Sequence, residues 1–325
     1  MIKILLKFTF AAALIYWLLQ SGKLDLSLVK KSIEYGPQWI IALLLIFSQN
    51  SLASFRYKLL LETKSENKLN FFAIFKVNYI GQFFSSILPG AVTGDLIKLI
   101  YVKKLDKKFS KTFLITTALL DRIIGLTGLL FLAGFFSLIY FSEITSLSSQ
   151  ITNVIFINLM LFAGAIFFLG TLVAPYYLQL KIVNIVKKIP FLGKKISDIL
   201  NQVFSLREKR KDLFFSFLIS IFIHIISIFS FWIITSPFYS SHLPLSYAFT
   251  VIPVGLIATA IPLSPGGLGV GHVLFANLFS FVNIKNGASL FNLFFLSNFL
   301  NNLLGLIPYV LTGKGKDLEE LKNDF

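Results

Sequence analysis

Long apolar runs alternate with short polar segments along the whole chain. Each uninterrupted run has close to the ~20 residues that a helix needs to cross ~30 Å of hydrocarbon. Two further stretches, 71–101 and 245–283, are apolar but contain Pro and Gly in the middle. The uninterrupted runs predict membrane helices at about 2–20, 39–57, 112–141, 153–176, 213–235 and 288–311. We therefore expect an all-α, polytopic membrane protein with about eight membrane segments.

Lysine and arginine are concentrated on one side of these predicted helices. Of the 30 Lys and Arg residues, 25 lie in segments 1–7, 56–76, 98–111, 178–212 and 312–325. Cytoplasmic loops of membrane proteins carry an excess of these residues, so both termini are predicted in the cytoplasm. The predicted location is the bacterial cytoplasmic membrane, with the first apolar run kept as an uncleaved helix.

The composition supports the same class of protein. The chain is 56% hydrophobic and 14% charged, whereas soluble domains carry about 25% charged residues. Residues 1–325 are therefore predicted to form one integral membrane domain. The formal net charge of +15 is explained by topology, so no nucleic-acid partner is expected. There is no cysteine, no metal spacing among the three histidines and no nucleotide-binding motif, so no cofactor, metal or catalytic residue is predicted.

The two interrupted stretches resemble each other. In each, an apolar segment leads to a Pro-Gly pair that is followed by further glycines. Pro removes a backbone donor and Gly permits unusual dihedral angles, so a helix should break at these points. One interpretation is an inverted repeat of broken helices around a binding site, as in many transporters, and the other is a pair of plain turns. The residues concerned are Pro89, Gly90, Gly94, Pro265, Gly266, Gly267 and Gly269.

In the first interpretation, helices that start inside the membrane provide a site for an anion. Helices starting at Gly94-Asp95 and near His272 would direct free N–H groups toward the membrane interior, and such groups attract phosphate. Lys98, one turn after Asp95, would add a positive charge on about the same face.

Several polar residues fall within or beside apolar segments, where ionisable groups usually have a function or a partner. Asp95 and Arg56 are predicted to be functional, whereas adjacent Asp121 and Arg122 are each expected to have a separate partner. His224 is expected to be a hydrogen-bonded packing residue. Asn298, with its neighbours in the last helix, could line a cavity or bond helix to helix.

The loop 178–212 allows two interpretations. Ile196, Ile199, Leu200, Val203 and Phe204 follow helical spacing beside several basic residues, which is typical of an amphipathic helix at the membrane interface. The alternative, which the sequence favours, is an ordinary basic cytoplasmic loop.

Four segments resemble the lysylphosphatidylglycerol synthase transmembrane family of flippase-like proteins. They are FRYKLLLE at Arg56, ILPGAVTGDLIKL at Pro89, DRIIGL at Asp121, and IPLSPGGLGVGH ending at His272. The resemblance covers nearly the whole chain and implies a membrane domain that moves lipids between leaflets. Relatives often have Glu in place of His272 and Arg in place of Lys98. In larger synthases a soluble aminoacyl-transferase domain follows, and since this chain ends at Phe325, lysyl transfer is not expected.

These observations favour a lipid transporter. We expect it to bind the headgroup of an anionic phospholipid or a polyprenyl phosphate in a polar cavity, with Arg56 and Lys98 near the phosphate. The alternatives are a membrane-embedded lipid-modifying enzyme that uses Asp95 and Asp121 as acid and base, and an accessory subunit of a lipid-synthesis complex. A homo-oligomer is compatible with the sequence.

Overall fold

The structure is a computed structural model. The described residues are 87% helical and contain no strand, which confirms the predicted all-α class. The predicted membrane helix at 2–20 and the C-terminal segment after Leu311 lie outside the described part of the chain. The structure describes residues 36–65, 68–88, 93–190, 192–205, 209–239, 243–260, 267 and 269–311.

Thirteen α-helices are present in the described ranges. Short 3₁₀ turns lie at Ser236–Phe238 and Leu303–Gly305. The α-helices are α1 (Pro37–Glu62), α2 (Phe71–Ile87), α3 (Thr93–Leu105), α4 (Lys111–Ile139), α5 (Phe141–Thr145), α6 (Ser149–Val173), α7 (Tyr176–Lys187), α8 (Gly193–Ser205), α9 (Arg210–Thr235), α10 (Leu245–Thr259), α11 (Val270–Ser280), α12 (Gly287–Asn302) and α13 (Leu306–Leu311).

Five helical stretches in the described ranges are long and apolar enough to cross a membrane. They agree with the five predicted helices at 39–57, 112–141, 153–176, 213–235 and 288–311, and differ from them by a few residues at the ends. The five stretches are Pro37–Glu62, Lys111–Ile139, Ser149–Val173, Arg210–Phe238 and Gly287–Leu311.

The stretch predicted at 71–101 forms an antiparallel helical hairpin, α2–α3, called the first hairpin below. Helix α2 ends at Ile87, two residues before Pro89, and α3 begins at Thr93. Gly94 lies so close to α2 that a Cβ there would contact Ser85 and the carbonyl oxygen of Gly81. The absence of a side chain at Gly94 therefore lets α3 pack directly on the backbone of α2.

The stretch predicted at 245–283 forms the second hairpin, α10–α11. Tyr247, near the start of α10, donates a hydrogen bond to the carbonyl oxygen of Leu278, near the end of α11 (2.5 Å). Toward the break, a Cβ on Gly255 would contact the ring of Phe275. These pairings run in opposite directions along the two helices, so the hairpin is antiparallel like the first one.

The two hairpins enter the molecule from opposite sides. Helices α1 and α9 pack antiparallel, because Arg56 bonds Ser220 whereas Ala42 packs with Ile234. The first hairpin follows the C-terminal end of α1, and the second follows the C-terminal end of α9. The ends of each hairpin that lie away from its break are therefore on opposite sides of the molecule, as the inverted-repeat interpretation requires. We call the side where α1 ends and α9 begins the basic side.

Each hairpin ends short of the helix beside it. Gln82 of α2 bonds Asn50 of α1, and α2 continues five residues beyond Gln82, to Ile87. Helix α1 continues thirteen residues beyond Asn50, to Pro37. Similarly, Asn158 of α6 donates a hydrogen bond to the Thr250 carbonyl oxygen of α10. From that contact α10 continues nine residues, to Thr259, whereas α6 continues fifteen, to Val173. All four hairpin helices are also shorter than the ~20 residues of a full crossing.

The loop 178–212 is largely helical, so the amphipathic-helix interpretation is closer to the structure than the ordinary loop. Helices α7 and α8 pack through Val183, Val203 and Phe204 against α4 and α9 on the basic side. In that interpretation Val203 and Phe204 would face the membrane interface, whereas the structure buries them against protein.

Candidate functional site

A cavity of about 310 Å³ lies where the ends of the two hairpins approach each other. The first hairpin contributes Ser86, and the second contributes Leu256, Thr259 and Ala260. Helices α4, α9 and α12 form the remaining wall. The wall combines an apolar part of leucine and phenylalanine with a polar part, which is formed by Ser86, His224, Ser227, Thr259, Asn298 and Asn302.

A network of amide side chains joins this cavity to α1. Asn50 donates to Asn301 (3.0 Å) and Asn302 (3.4 Å) and accepts from Gln82 (3.2 Å). Asn302 in turn donates to Ser86 at 2.8 Å. The amides therefore do both things that the sequence left open for this patch, because they bond helix to helix and two of them line the cavity.

Sequence reasoning missed the α1 and α2 members of this network. Gln49 bonds Asn298 (3.3 Å), and Tyr79 donates to Asn301 (3.0 Å). A signal for them was present, because Gln49 and Asn50 are adjacent amides in the middle of an apolar run. Polar side chains inside a membrane helix usually mark a helix contact or a cavity.

A buried ion pair lies on the basic side of this network. The guanidinium Nε of Arg56 donates to Asp121 Oδ1 at 2.8 Å, and its Nη1 donates to Ser220 at 2.8 Å. The side chains of Arg56 and Asp121 are only 9% and 12% exposed. Gly125 provides room for this arginine, since a Cβ there would lie 3.1 Å from Nη1. The pair joins α1, α4 and α9 at one point.

A second, more accessible ion pair lies at the start of α3, the second helix of the first hairpin. Arg122 donates to Asp95 at 2.5 Å, and the Lys98 ammonium lies 3.6 Å from the same carboxylate. Lys98 is buried and also lies 3.9 Å from the centroid of the Tyr57 ring. The side chains of Arg122 and Asp95 are 41% and 21% exposed.

Asp121 and Arg122 therefore have separate partners on different helices, as the sequence predicts. The two carboxylates of the acid-base hypothesis, Asp95 and Asp121, belong to different ion pairs. With Arg56, Lys98 and Arg122, the five side chains carry a formal charge of +1. Such a cluster has the charge and the partial accessibility to receive a phosphate.

The two histidines discussed from the sequence, His224 and His272, occupy different environments. His224 is hydrogen-bonded to the Gly125 carbonyl oxygen at 2.8 Å, as expected for a packing residue, although it also lines the cavity. His272 lies at the start of α11, where its Nδ1 accepts from the Gly269 amide at 3.3 Å. Its ring lies edge-on to the ring of Phe291, which also lines the cavity.

The glycines after the second Pro-Gly pair have the backbone geometry that only glycine adopts readily. Gly267 and Gly269 have φ values of 75° and 84°. A Cβ on Gly267 would also contact Thr259 at the end of α10. The candidate residues Pro89, Gly90, Pro265 and Gly266 lie outside the described residues. Within the described ranges, no group of three or more His, Cys, Asp or Glu residues is placed to hold a metal ion.

The fold and the site define a helical integral membrane protein in which two opposed hairpins meet at a partly polar cavity. The chain belongs to the family of the lysylphosphatidylglycerol synthase TM region, whose model matches residues 4–296. Membership of this family indicates a lipid-related function in a membrane. No curated protein and no solved structure matches the chain.

Proposed function

We propose that this protein moves an anionic lipid, a phospholipid or a polyprenyl phosphate, between the leaflets of its membrane. The headgroup would enter the cavity between the hairpins, and the acyl or prenyl chains would remain in the surrounding lipid. The observation that carries the proposal is the position of that cavity, between the ends of two hairpins that enter from opposite sides. Transporters with inverted repeats place their substrate sites at such a point.

The lining of the cavity suits a lipid headgroup. The amide groups of Asn298 and Asn302 and the hydroxyl of Ser227 can donate to phosphate or glycerol oxygens. The hydroxyls of Ser86 and Thr259 already donate to backbone carbonyl oxygens and can act only as acceptors. The phenylalanines and leucines of the wall suit the first methylene groups of a lipid chain. Transport by alternating access would then require one hairpin to move relative to the other while the site stays in place.

In this proposal Asp95, Lys98 and Arg122, called the Asp95 cluster, bind the phosphate before the headgroup enters the cavity, because none of the three lines the cavity itself. Asp95 compensates two cations, Lys98 and Arg122, and a phosphate that approaches the exposed Arg122 would compete with Asp95 for both. The Arg56–Asp121 pair is more buried and would hold α1, α4 and α9 together during this exchange.

The proposal is tested in proteoliposomes that contain fluorescent phosphatidylglycerol or polyprenyl-phosphate probes, with and without a pH gradient. Headgroup accessibility to a membrane-impermeant quencher reports movement between leaflets. We expect the wild type to move at least one probe. Lys98→Ala should slow it about tenfold or more, because one charge-assisted contact to the phosphate is lost. Asp95→Asn should slow it to a similar extent, because the carboxylate that displaces the phosphate from Lys98 and Arg122 is removed. Lys58→Ala is the matched control, because its ion pair with Glu62 lies within one turn of α1.

Two outcomes would contradict the proposal. Correctly folded wild-type protein that moves neither probe, under either condition, would remove the support for transport. Normal transport by both Asp95→Asn and Lys98→Ala would leave transport standing but would show that the phosphate does not use this cluster.

A further inference from the structure

A second cavity, of about 370 Å³, lies between three membrane helices and away from both hairpins. All of its lining residues belong to α4, α6 and α9 or to their ends. Apart from Thr127 and Arg210, the side chains that line it are apolar, among them Ile124, Ile166, Leu172 and Phe217. We call this cavity the α4–α6–α9 groove.

One end of the groove is positively charged. Arg210, the first residue of α9, is exposed and lies near the last turn of α6, where its Nη2 is 3.4 Å from the Ala174 carbonyl oxygen. Lys209 and Lys211 beside it are also exposed, and Asp212 follows as the single acidic residue. The four residues 209–212 carry a formal charge of +2. This end lies on the basic side, where α6 ends and α9 begins.

The chemistry of the groove selects its occupant. The groove lies among three helices that are long enough to cross the membrane, so hydrocarbon chains are the surrounding solvent. An apolar chain can fill the groove, and the charge of anything attached at the Arg210 end should be negative. We infer that the α4–α6–α9 groove is a binding site for an anionic phospholipid, with one acyl chain along the groove and the phosphate at Arg210.

Charge, and not apolar burial, should make this site selective. Lipid tails are as apolar as the groove, so transfer of an acyl chain from the bilayer into it brings little hydrophobic gain. A cation near a membrane surface attracts anionic headgroups, and the loss of one such contact should weaken binding about fivefold. This lipid would remain bound beside α6 and is distinct from the transported lipid of the proposed function.

Two glycines on α6 make a matched test. Gly170 lines the groove, and a Cβ there would meet no atom within 4 Å, so a phenylalanine at this position would fill open groove space. Gly164, on the same helix, also has nothing within 4 Å of an added Cβ, but it does not line the groove. Gly170→Phe should therefore block the site, and Gly164→Phe should leave it intact.

The experiment is native mass spectrometry of the full chain in detergent with added phosphatidylglycerol or phosphatidylcholine. We expect the wild type and Gly164→Phe to retain phosphatidylglycerol preferentially. Arg210→Gln should lower that retention about fivefold, and Gly170→Phe should lower retention of both lipids. Unchanged retention in Gly170→Phe, or an unchanged preference in Arg210→Gln, would overturn the assignment.

A second measurement uses the unaltered chain, so that it does not depend on the folding of a variant. Phosphatidylglycerol with a photoreactive acyl chain should label peptides that contain Phe168 or Phe214, both of which line the groove. Labelling elsewhere only would refute the site. The chain has no cysteine, so Gly170→Cys combined with single cysteines at 2–20 tests another occupant. A disulfide there would place that segment in the groove and would also overturn the inference.

Discussion

The buried ion pair between Arg56 and Asp121 allows a quantitative test of how the core is held together. Both side chains are nearly excluded from solvent, at 9% and 12% exposure, and they bond at 2.8 Å. Arg56→Met would leave the Asp121 carboxylate without the guanidinium that compensates it. Asp121→Leu would leave the guanidinium with the Ser220 hydroxyl, a neutral group.

The expected magnitudes follow from the burial of the pair. Removal of one partner from a buried ion pair typically destabilises a protein by about 3–5 kcal/mol, since the remaining charge stays uncompensated. Replacement of both partners by apolar groups of similar shape is often neutral or stabilising. Arg56→Met/Asp121→Leu should therefore be more stable than either single variant. For comparison, Lys58→Met removes a more exposed (i, i+4) pair and should cost about 0.5 kcal/mol.

The assay is thermal or denaturant unfolding of the purified proteins in one detergent. Unfolding is monitored as the loss of monodisperse protein. If Arg56→Met and Asp121→Leu each lost no more stability than Lys58→Met, the charge left without its partner would not destabilise the protein, and the reasoning would be refuted. If the double variant lost the sum of the two single effects, the residues would act independently and the ion-pair reasoning would be wrong.

Three further predictions concern packing and the amide network, each measured by the same unfolding assay. Gly94→Val should destabilise the protein by about 1–3 kcal/mol, because its side chain would meet Ser85 of α2. Asn50→Leu removes three hydrogen bonds and should cost about 2 kcal/mol, since each contributes ~0.6 kcal/mol between membrane helices. Phe231→Ala deletes a fully buried ring and should cost about 3–5 kcal/mol.

Each of these variants has its own control. Gly164→Val adds a side chain in open space, Ser51→Ala removes only a bond within α1, and Phe222→Ala truncates an exposed ring on α9. All three controls should remain within about 0.5 kcal/mol of the wild type. A test variant that matches its own control would contradict the packing or bonding assigned to that residue.

The sequence predicted the five long apolar helices of the described ranges and the interruption of the first hairpin, because these depend on local physics, but it favoured a plain loop where α7 and α8 lie. An apolar run of about 20 residues has few alternatives to a membrane helix. The break after Ile87 was predictable from Pro89, since Pro disfavours helical geometry in the residue before it. Opposite entry of the two hairpins was one of two interpretations. The distribution of Lys and Arg supports it, because the basic segments 56–76 and 98–111 flank only the first interrupted stretch.

The partners within the site were not predictable in the same way. Arg56 and Asp121 are 65 residues apart, and Asn50 and Asn301 are 251 apart, so only the packing of the helices brings them together. The sequence identified the charged residues as costly in a membrane, but it did not show which acidic residue pairs with which basic residue. The less favoured interpretation of the loop 178–212 placed Val203 and Phe204 at the membrane interface, because periodicity shows that a helix face is apolar and not what covers it.

The core of this protein also has a consequence for its synthesis. Arg56 enters the membrane region long before its partners exist, since Asp121 follows by 65 residues and Ser220 by 164. At about 5–20 residues per second, these separations correspond to roughly 3–13 s and 8–33 s of translation. During that interval the charge of Arg56 must be solvated by water or by headgroups at the membrane surface. Final burial of α1 therefore waits for the ribosome to deliver α4 and then α9, however fast single helices insert.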